Sequence, residues 1–366
     1  PENPELNLHL GLVFAAKGEI EAAAPLLRGA VGLEPVDPVY WNALSACEAK
    51  LGDLAAALVA ADRSLTLNPN QPDGLSNRAE ALSGLGQFEE ALQVADRAIV
   101  LNPGDPRLLH SRAGILRKMG RLDESLAVLD RALQFGPQMA QLRAERGFVL
   151  KLLGRHQEAI ENYEMALALD PGLVEAHWNR SLCQLLLGRF EEGWAGYEWR
   201  WQLKAREIQP RSWTMPLWLG QDSLEGRSIL LHCEQGFGDS IQFARLATKV
   251  AERGGQVILE VQAPLLPLFH DSPGLKGVVA RGDSLPETDF HCPLMSLPLA
   301  LGHPFTPEVG MEPYLRPDAD RFKTWAGRLG QGERPRVGLV TSGSPTHAAD
   351  QDRSLPLAEI ADYLPE

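Results

Sequence analysis

The chain has 366 residues, more than one hydrophobic core ordinarily organises, so two or more domains are expected. Its 44% hydrophobic content is that of an ordinary globular protein, and a formal charge of −13 argues against a general nucleic-acid binder or adhesion to an anionic membrane. Four cysteines, Cys47, Cys183, Cys233 and Cys292, lack metal-ligand or framework spacing, and no run of about 18 apolar residues occurs, which predicts a cytoplasmic protein without a zinc site, disulfides or a membrane span.

Taken from the N-terminus, the chain repeats itself. Gly18, Gly52, Gly86, Gly120, Gly154 and Gly188 recur every 34 residues, and 17 residues after five of them stand Pro35, Pro69, Pro103, Pro137 and Pro171. Five residues after each glycine comes a small side chain: Ala23, Ala57, Ala91, Ser125, Ala159 and Gly193. Glycine permits the turn between two helices, the small residue lets their backbones approach, and proline stops one helix or starts the next. Period and punctuation resemble the tetratricopeptide repeat family, with Trp41 and Leu44 also fitting its first-helix pattern. Residues 1–205 are therefore expected to form an α-solenoid of five full repeats and a degenerate sixth. Such repeats imply a protein or peptide partner in a groove.

Two further features sit on this array. Arg78, Arg112, Arg146 and Arg180 are again 34 apart, each 16 residues after an acid: Asp62, Asp96, Asp130 and Glu164. They predict ion pairs between neighbouring hairpins, or else an arginine row that, with Asn77 and Asn179, grips an acidic partner in the groove. Five tryptophans, Trp194, Trp199, Trp201, Trp213 and Trp218, crowd the end of the array and the linker 206–225. Either they seal the last repeat against the next domain or they form an exposed platform.

From residue 226 the pattern changes to alternating strands and helices. "RSILLHC" reads as a buried strand, "DSIQFARLATKVAERGG" as one amphipathic helix and "QVILEVQ" as a second strand. "APLLPLFHDS" suits a short helix, "LKGVVA" a strand, "DADRFKTWAGRLG" a helix, "PRVGLVTSG" a strand and "LPLAEIADYL" a last helix. Alternation of this kind predicts a parallel α/β sheet with helices on both faces over 226–335, whose strand order cannot be read.

Gly236 and Gly238 stand between the first strand and its helix, where backbone N–H groups attract anions. The third glycine of a dinucleotide fingerprint is replaced by Ile241, which disfavours nicotinamide or flavin. Asp239 opens the helix as an N-terminal cap, as a general base at the sheet's carboxyl edge, or as both. His232 and His291 read mainly as packing or hydrogen-bonding residues.

"EQGFGDSIQFAR" resembles the first strand-turn-helix of heptosyltransferase-like glycosyltransferases of the glycosyltransferase-B fold, which pair two Rossmann-like domains. Repeats followed by such a domain are similar in layout to the O-linked N-acetylglucosamine transferases and their bacterial relatives. The resemblance implies that Asp239 is the base on the acceptor hydroxyl, with substrate beside Gln235, Gly236 and Gly238. "VGLVTSGSPTHAADQDRSLPL" resembles the opening of the donor-side domain. Thr341, Ser342, Ser344 and Arg353 would there hold the diphosphate of a nucleotide sugar, with His347 touching substrate. Ala348 and Ala349 stand where related loops often carry a lysine. Residues 336–366 can hold only the start of that second Rossmann-like domain, so most of it is expected to be absent. The resemblance implies sugar transfer from a nucleotide-sugar co-substrate, without metal or other cofactor, to an acceptor recruited by the repeats. The alternative is a non-catalytic interaction scaffold with a structural α/β module.

Overall fold

The computed structural model describes residues 3–203, 211–234, 236–302, 314–315, 317–330, 354–355 and 359. Six helical hairpins come first. They pair α1 (Pro4–Ala16) with α2 (Ile20–Leu33), α3 (Pro38–Leu51) with α4 (Leu54–Leu67), and α5 (Pro72–Gly84) with α6 (Phe88–Leu101). The array continues as α7 (Pro106–Lys118) with α8 (Leu122–Phe135), α9 (Ala140–Leu152) with α10 (His156–Leu169), and α11 (Val174–Leu186) with α12 (Phe190–Tyr197).

The punctuation acts as expected. The six turn glycines have φ between 75° and 86°, a left-handed conformation that costs a residue with a Cβ. Helices α2, α4, α6, α8 and α10 each end two residues before a proline, whose ring disfavours helical backbone in the residue ahead of it. Pro38, Pro72 and Pro106 then occupy the first position of α3, α5 and α7, where no amide hydrogen is required. Ala23, Ala57, Ala91, Ser125 and Ala159 are all 0% exposed, so the small residues sit where paired helices touch. Ser45 and Ser125 donate across that seam to the carbonyls of Ala57 and Ala113, both at 2.8 Å.

Leucines fill the space between hairpins, with Leu82, Leu109, Leu116, Leu129, Leu142 and Leu150 fully buried. Successive odd-numbered helices also contact one another, which makes them the inner, concave row of the stack. The arginine ladder forms three of its four expected pairs. Arg78, Arg112 and Arg146 donate through Nε to Asp62, Asp96 and Asp130 at 2.7, 2.6 and 2.7 Å. The fourth does not form: Glu164, one methylene longer, stays exposed, and Arg180 Nε is buried without a partner.

The sixth hairpin ends early. Helix α12 gives way to a 3₁₀ turn, Glu198–Gln202, and the chain enters a sheet of β1 (Ser228–His232), β2 (Gln256–Val261), β3 (Leu275–Ala280) and β4 (Phe290–Pro293). All neighbours are parallel, in the order β3-β2-β1-β4. The sheet is a finding narrower than the two-domain glycosyltransferase-B architecture expected from the resemblance. Strand β4 is absent from the sequence-based expectation, and its far edge is bridged at His291, whose N–H donates to Pro216 O while its carbonyl accepts from Trp218 N. The helix expected over 239–255 is two helices, α13 (Phe237–Ala244) and α14 (Ala247–Glu252), interrupted at Arg245 and Leu246. Short helices α15 (Leu266–Phe269) and α16 (Leu297–Ala300) follow β2 and β4.

Two of the five tryptophans at the junction are buried, while Trp199, Trp201 and Trp213 stay half-buried. Trp218 is 1% exposed and Trp194 is buried edge-on against Tyr197 and Phe243. Solenoid and sheet lie in one compact unit, Pro1–Leu266 with Pro273–Glu312. A second unit carries α17 (Ala319–Leu329), capped by Asp318, which accepts from Arg321 N at 2.8 Å.

Candidate functional site

A cavity of ≈ 270 Å³ opens at the carboxyl end of the sheet, lined in part by His232, Cys233 and Glu234 after β1 and by His291 and Pro293 of β4. The chain order runs from β1 through β2 to β3 on one side and returns with β4 on the other. The crevice thus lies where strand order reverses, the place at which open parallel sheets hold ligands. Trp201 from the 3₁₀ turn, Arg211, Trp213 and Leu217 from the connecting segment, and Arg281 after β3 complete the wall.

Its electrostatics follow from burial. His232 Nε2 and His291 Nδ1 lie 3.1 Å apart, so one ring donates and the other accepts. Burial holds His232 far below its ordinary value of 6.5, with further push from His291 and nearby arginines, and brings His291 down to about 4. Trp213 stacks on His291 with ring centres 4.6 Å apart. Two buried acids face cations. Glu260, 0% exposed, accepts from Arg211 Nη1 at 2.8 Å on both oxygens. Glu234 accepts from Arg200 Nε and Nη2 at 3.0 and 2.9 Å. The side chain of Arg200 is 0% exposed and also reaches Glu198 at 2.6 Å and Ser296 at 2.7 Å, which ties the last repeat to the sheet.

Asp239 is half-buried and is not on the cavity wall. Its Oδ2 accepts from Gly236 N at 3.0 Å, which makes it the cap of α13. Gly236 and Gly238 are exposed beside it. Gln235, Thr341, Ser342, Ser344, His347 and Arg353 lie outside the described residues.

A second cavity, of ≈ 620 Å³, lies on the inner row of the solenoid, walled by His110 and Arg117 of α7, Gln141, Glu145 and Phe148 of α9, and Glu175 and Asn179 of α11. Gln202 and Leu203 close one end. Phe148 has two cations over its ring, Arg117 at 5.0 Å and Lys151 at 4.5 Å from the ring centre. Arg117 donates to Glu145 at 2.6 Å and Lys151 to Asn179 at 2.5 Å, with burial lowering the Lys151 pKa. Of the residues expected in the groove, Asn179 lines this cavity. Asn77 instead bonds Asn42 of the preceding repeat, and Arg78, Arg112, Arg146 and Arg180 are not on its wall.

Arg117, Phe148, Lys151 and Arg281 escaped sequence reasoning as site residues, whereas Trp201 and Trp213 belong to the cluster for which a platform is one alternative. Phe148 carries a usable signal, since the equivalent positions 34 residues away hold Gly114 and Leu182. Among the described residues no helix is long and apolar enough to cross a membrane, and no group of three or more His, Cys, Asp or Glu could hold a metal ion.

The family model for the tetratricopeptide repeat matches residues 1–72, 76–140 and 153–194, ending before the sheet. A thermophilic tetratricopeptide repeat protein of Thermus thermophilus is 25% identical with a TM-score of 0.48, covering 50% of this chain and 100% of its own. The APC/C hetero-tetramer Cut9–Hcn1 gives 17% identity and a TM-score of 0.51 over 57% of this chain and 41% of its own, a likeness of fold. PilF of Pseudomonas aeruginosa gives 16% and 0.44 over 54% and 90%. No curated protein matches the chain. Tetratricopeptide repeats thus build the N-terminal part of this protein, through the hairpins that carry the inner groove.

Proposed function

We propose that the protein is an interaction scaffold whose repeats grip a segment of a protein partner in the inner groove. The carrying observation is the ≈ 620 Å³ cavity on α7, α9 and α11, with two cations over an aromatic ring. Apolar anchor and charged rim in one concavity are what a peptide segment needs for both affinity and orientation. A photo-crosslinking amino acid at Gln141, on the groove wall, is expected to yield a discrete partner adduct in the native host. The same group at exposed Glu161 on α10 is expected to yield none. Equal adducts at both positions would sink the reading.

A second reading, sugar transfer from a nucleotide sugar to the recruited acceptor, rests on the resemblance around Asp239 and on the parallel sheet that follows the repeats, and would place the nucleotide sugar outside the ≈ 270 Å³ cavity. Asp239 would act as base, with Thr341, Ser342, Ser344 and Arg353 on the diphosphate. Calorimetric titration of the chain with uridine and guanosine diphosphate sugars tests it. No heat with any of them removes the transferase, and unchanged turnover by Asp239→Asn removes that base.

A further inference from the structure

The strand-end cavity leaves few polar groups free. Glu234 is engaged by Arg200, Glu260 by Arg211, and the facing nitrogens of His232 and His291 by one another. Among the described residues, what remains is the Arg281 guanidinium, the Trp213 indole N–H, the Cys233 thiol, one ring nitrogen on each histidine and the other nitrogens of Arg211, whose charge is already met by Glu260. Arg281 is exposed, and its charge reaches His232 and Cys233 at the end of β1. The rest of the surface is largely apolar, built from Trp201, Trp213, Leu217 and Pro293.

Size and chemistry narrow the ligand. An apolar cavity of about 150 Å³ holds benzene. One of ≈ 270 Å³ takes a fused or substituted ring and is too small for a whole nucleotide sugar. A free sugar would turn most of its hydroxyls toward indole and leucine surface, where each would lose its partner in water without gaining one. A flat ring suits the indoles, and one negative charge suits the one cation on the wall that has no acid beside it.

We propose that this cavity binds a small planar aromatic or heteroaromatic acid, with its ring among Trp201, Trp213, Leu217 and Pro293 and its carboxylate on Arg281. The inference is independent of what the solenoid groove holds. The probe is indole-3-acetate, titrated calorimetrically into the whole chain at neutral pH beside its uncharged counterpart, indole-3-acetamide, and uridine diphosphate. The acid is expected to bind at least about tenfold more tightly than the amide, and Arg281→Gln to equalise the two. Leu217, 38% exposed at the mouth, offers a second variant. Leu217→Trp fills the space and is expected to abolish binding of both compounds while the circular dichroism spectrum stays unchanged. Equal affinity of acid and amide in the unaltered chain, acid binding that survives Leu217→Trp, or no acid binding at millimolar concentration overturns the proposal. So does uridine diphosphate displacing the acid, which would make the cavity a nucleotide site.

Discussion

Replacing Arg200 by methionine should loosen the sheet while sparing the repeats. The guanidinium is fully enclosed and holds both oxygens of Glu234, a side chain 4% exposed, together with Glu198 and Ser296. Methionine fills most of the volume but leaves the Glu234 carboxylate buried and unpaired. Breaking a buried pair in this way costs about 3–5 kcal/mol, whereas replacing both partners by neutral groups of similar shape costs far less. At about 1.4 kcal/mol per decade, amide protection over β1 should fall by two decades or more, while α3 to α8 keep theirs because repeats report mainly on their neighbours. Glu234→Gln in the Arg200→Met background should restore most of the loss. Burial already holds the Glu234 carboxyl above its ordinary 4.5, outweighing Arg200. Without Arg200 the acid enters the fold most easily protonated, so the defect should shrink as pH falls towards 4.5. Hydrogen exchange with mass-spectrometric readout tests all of this. A defect under about 1 kcal/mol, or one of equal size at pH 5 and pH 8, would refute the assigned role.

The histidine pair supplies an opposite pH dependence. Burial brings His291 down to about 4 in the fold against 6.5 outside it, and holds His232 well below 6.5 as well, so the unfolded chain binds more protons between about 4 and 6.5. Stability should therefore drop on acidification from pH 6.5 to 4, by at most about 1.4 kcal/mol per pH unit per histidine, and His291→Asn should flatten the curve in urea titrations. Gly120→Ala, at φ 75°, should cost about 1–2 kcal/mol, whereas Gly114→Ala in α7, with open space around its Cβ, should gain up to about 1 kcal/mol. The two melting curves should move in opposite directions. Gly147→Ala places a Cβ 2.9 Å from the Tyr163 ring and should cost about 1–3 kcal/mol by overpacking, measured in the same way. Asp96→Ala removes a pair whose acid is 51% exposed and should change stability by no more than about 1 kcal/mol.

Much of the solenoid is legible because its determinants are local: a glycine for a left-handed turn, a small residue at a helix seam and a proline past a helix end each act within one hairpin. The ladder is legible for Asp62, Asp96 and Asp130 for the same reason, and fails at Glu164 because pattern matching ignores side-chain length. Strands β1, β2 and β3 announce themselves as apolar runs. Strand β4 does not, since "FHCP" is short, mixed in polarity and strand-like only once β1 lies beside it. The cavity was out of reach in the same way: Trp201, Arg211, His232, Arg281 and His291 come from five separate stretches. Arg200 reads as one more surface cation until Glu234 and Ser296 are folded around it. Asp239 gave away its capping role, which is local, but not its distance from the cavity wall, which depends on how the turn projects.

The clasp of Pro216 and Trp218 on His291 bears on how the molecule behaves in a crowded solution. An unguarded outer strand offers a ladder of amides and carbonyls to any extended chain that drifts by, and so invites polymerisation. Here the strip ahead of the sheet doubles back and occupies those groups at the middle of the four-residue margin, with the bulk of Trp218 packed beneath. Removing that strip should therefore leave the sheet sticky as well as less stable.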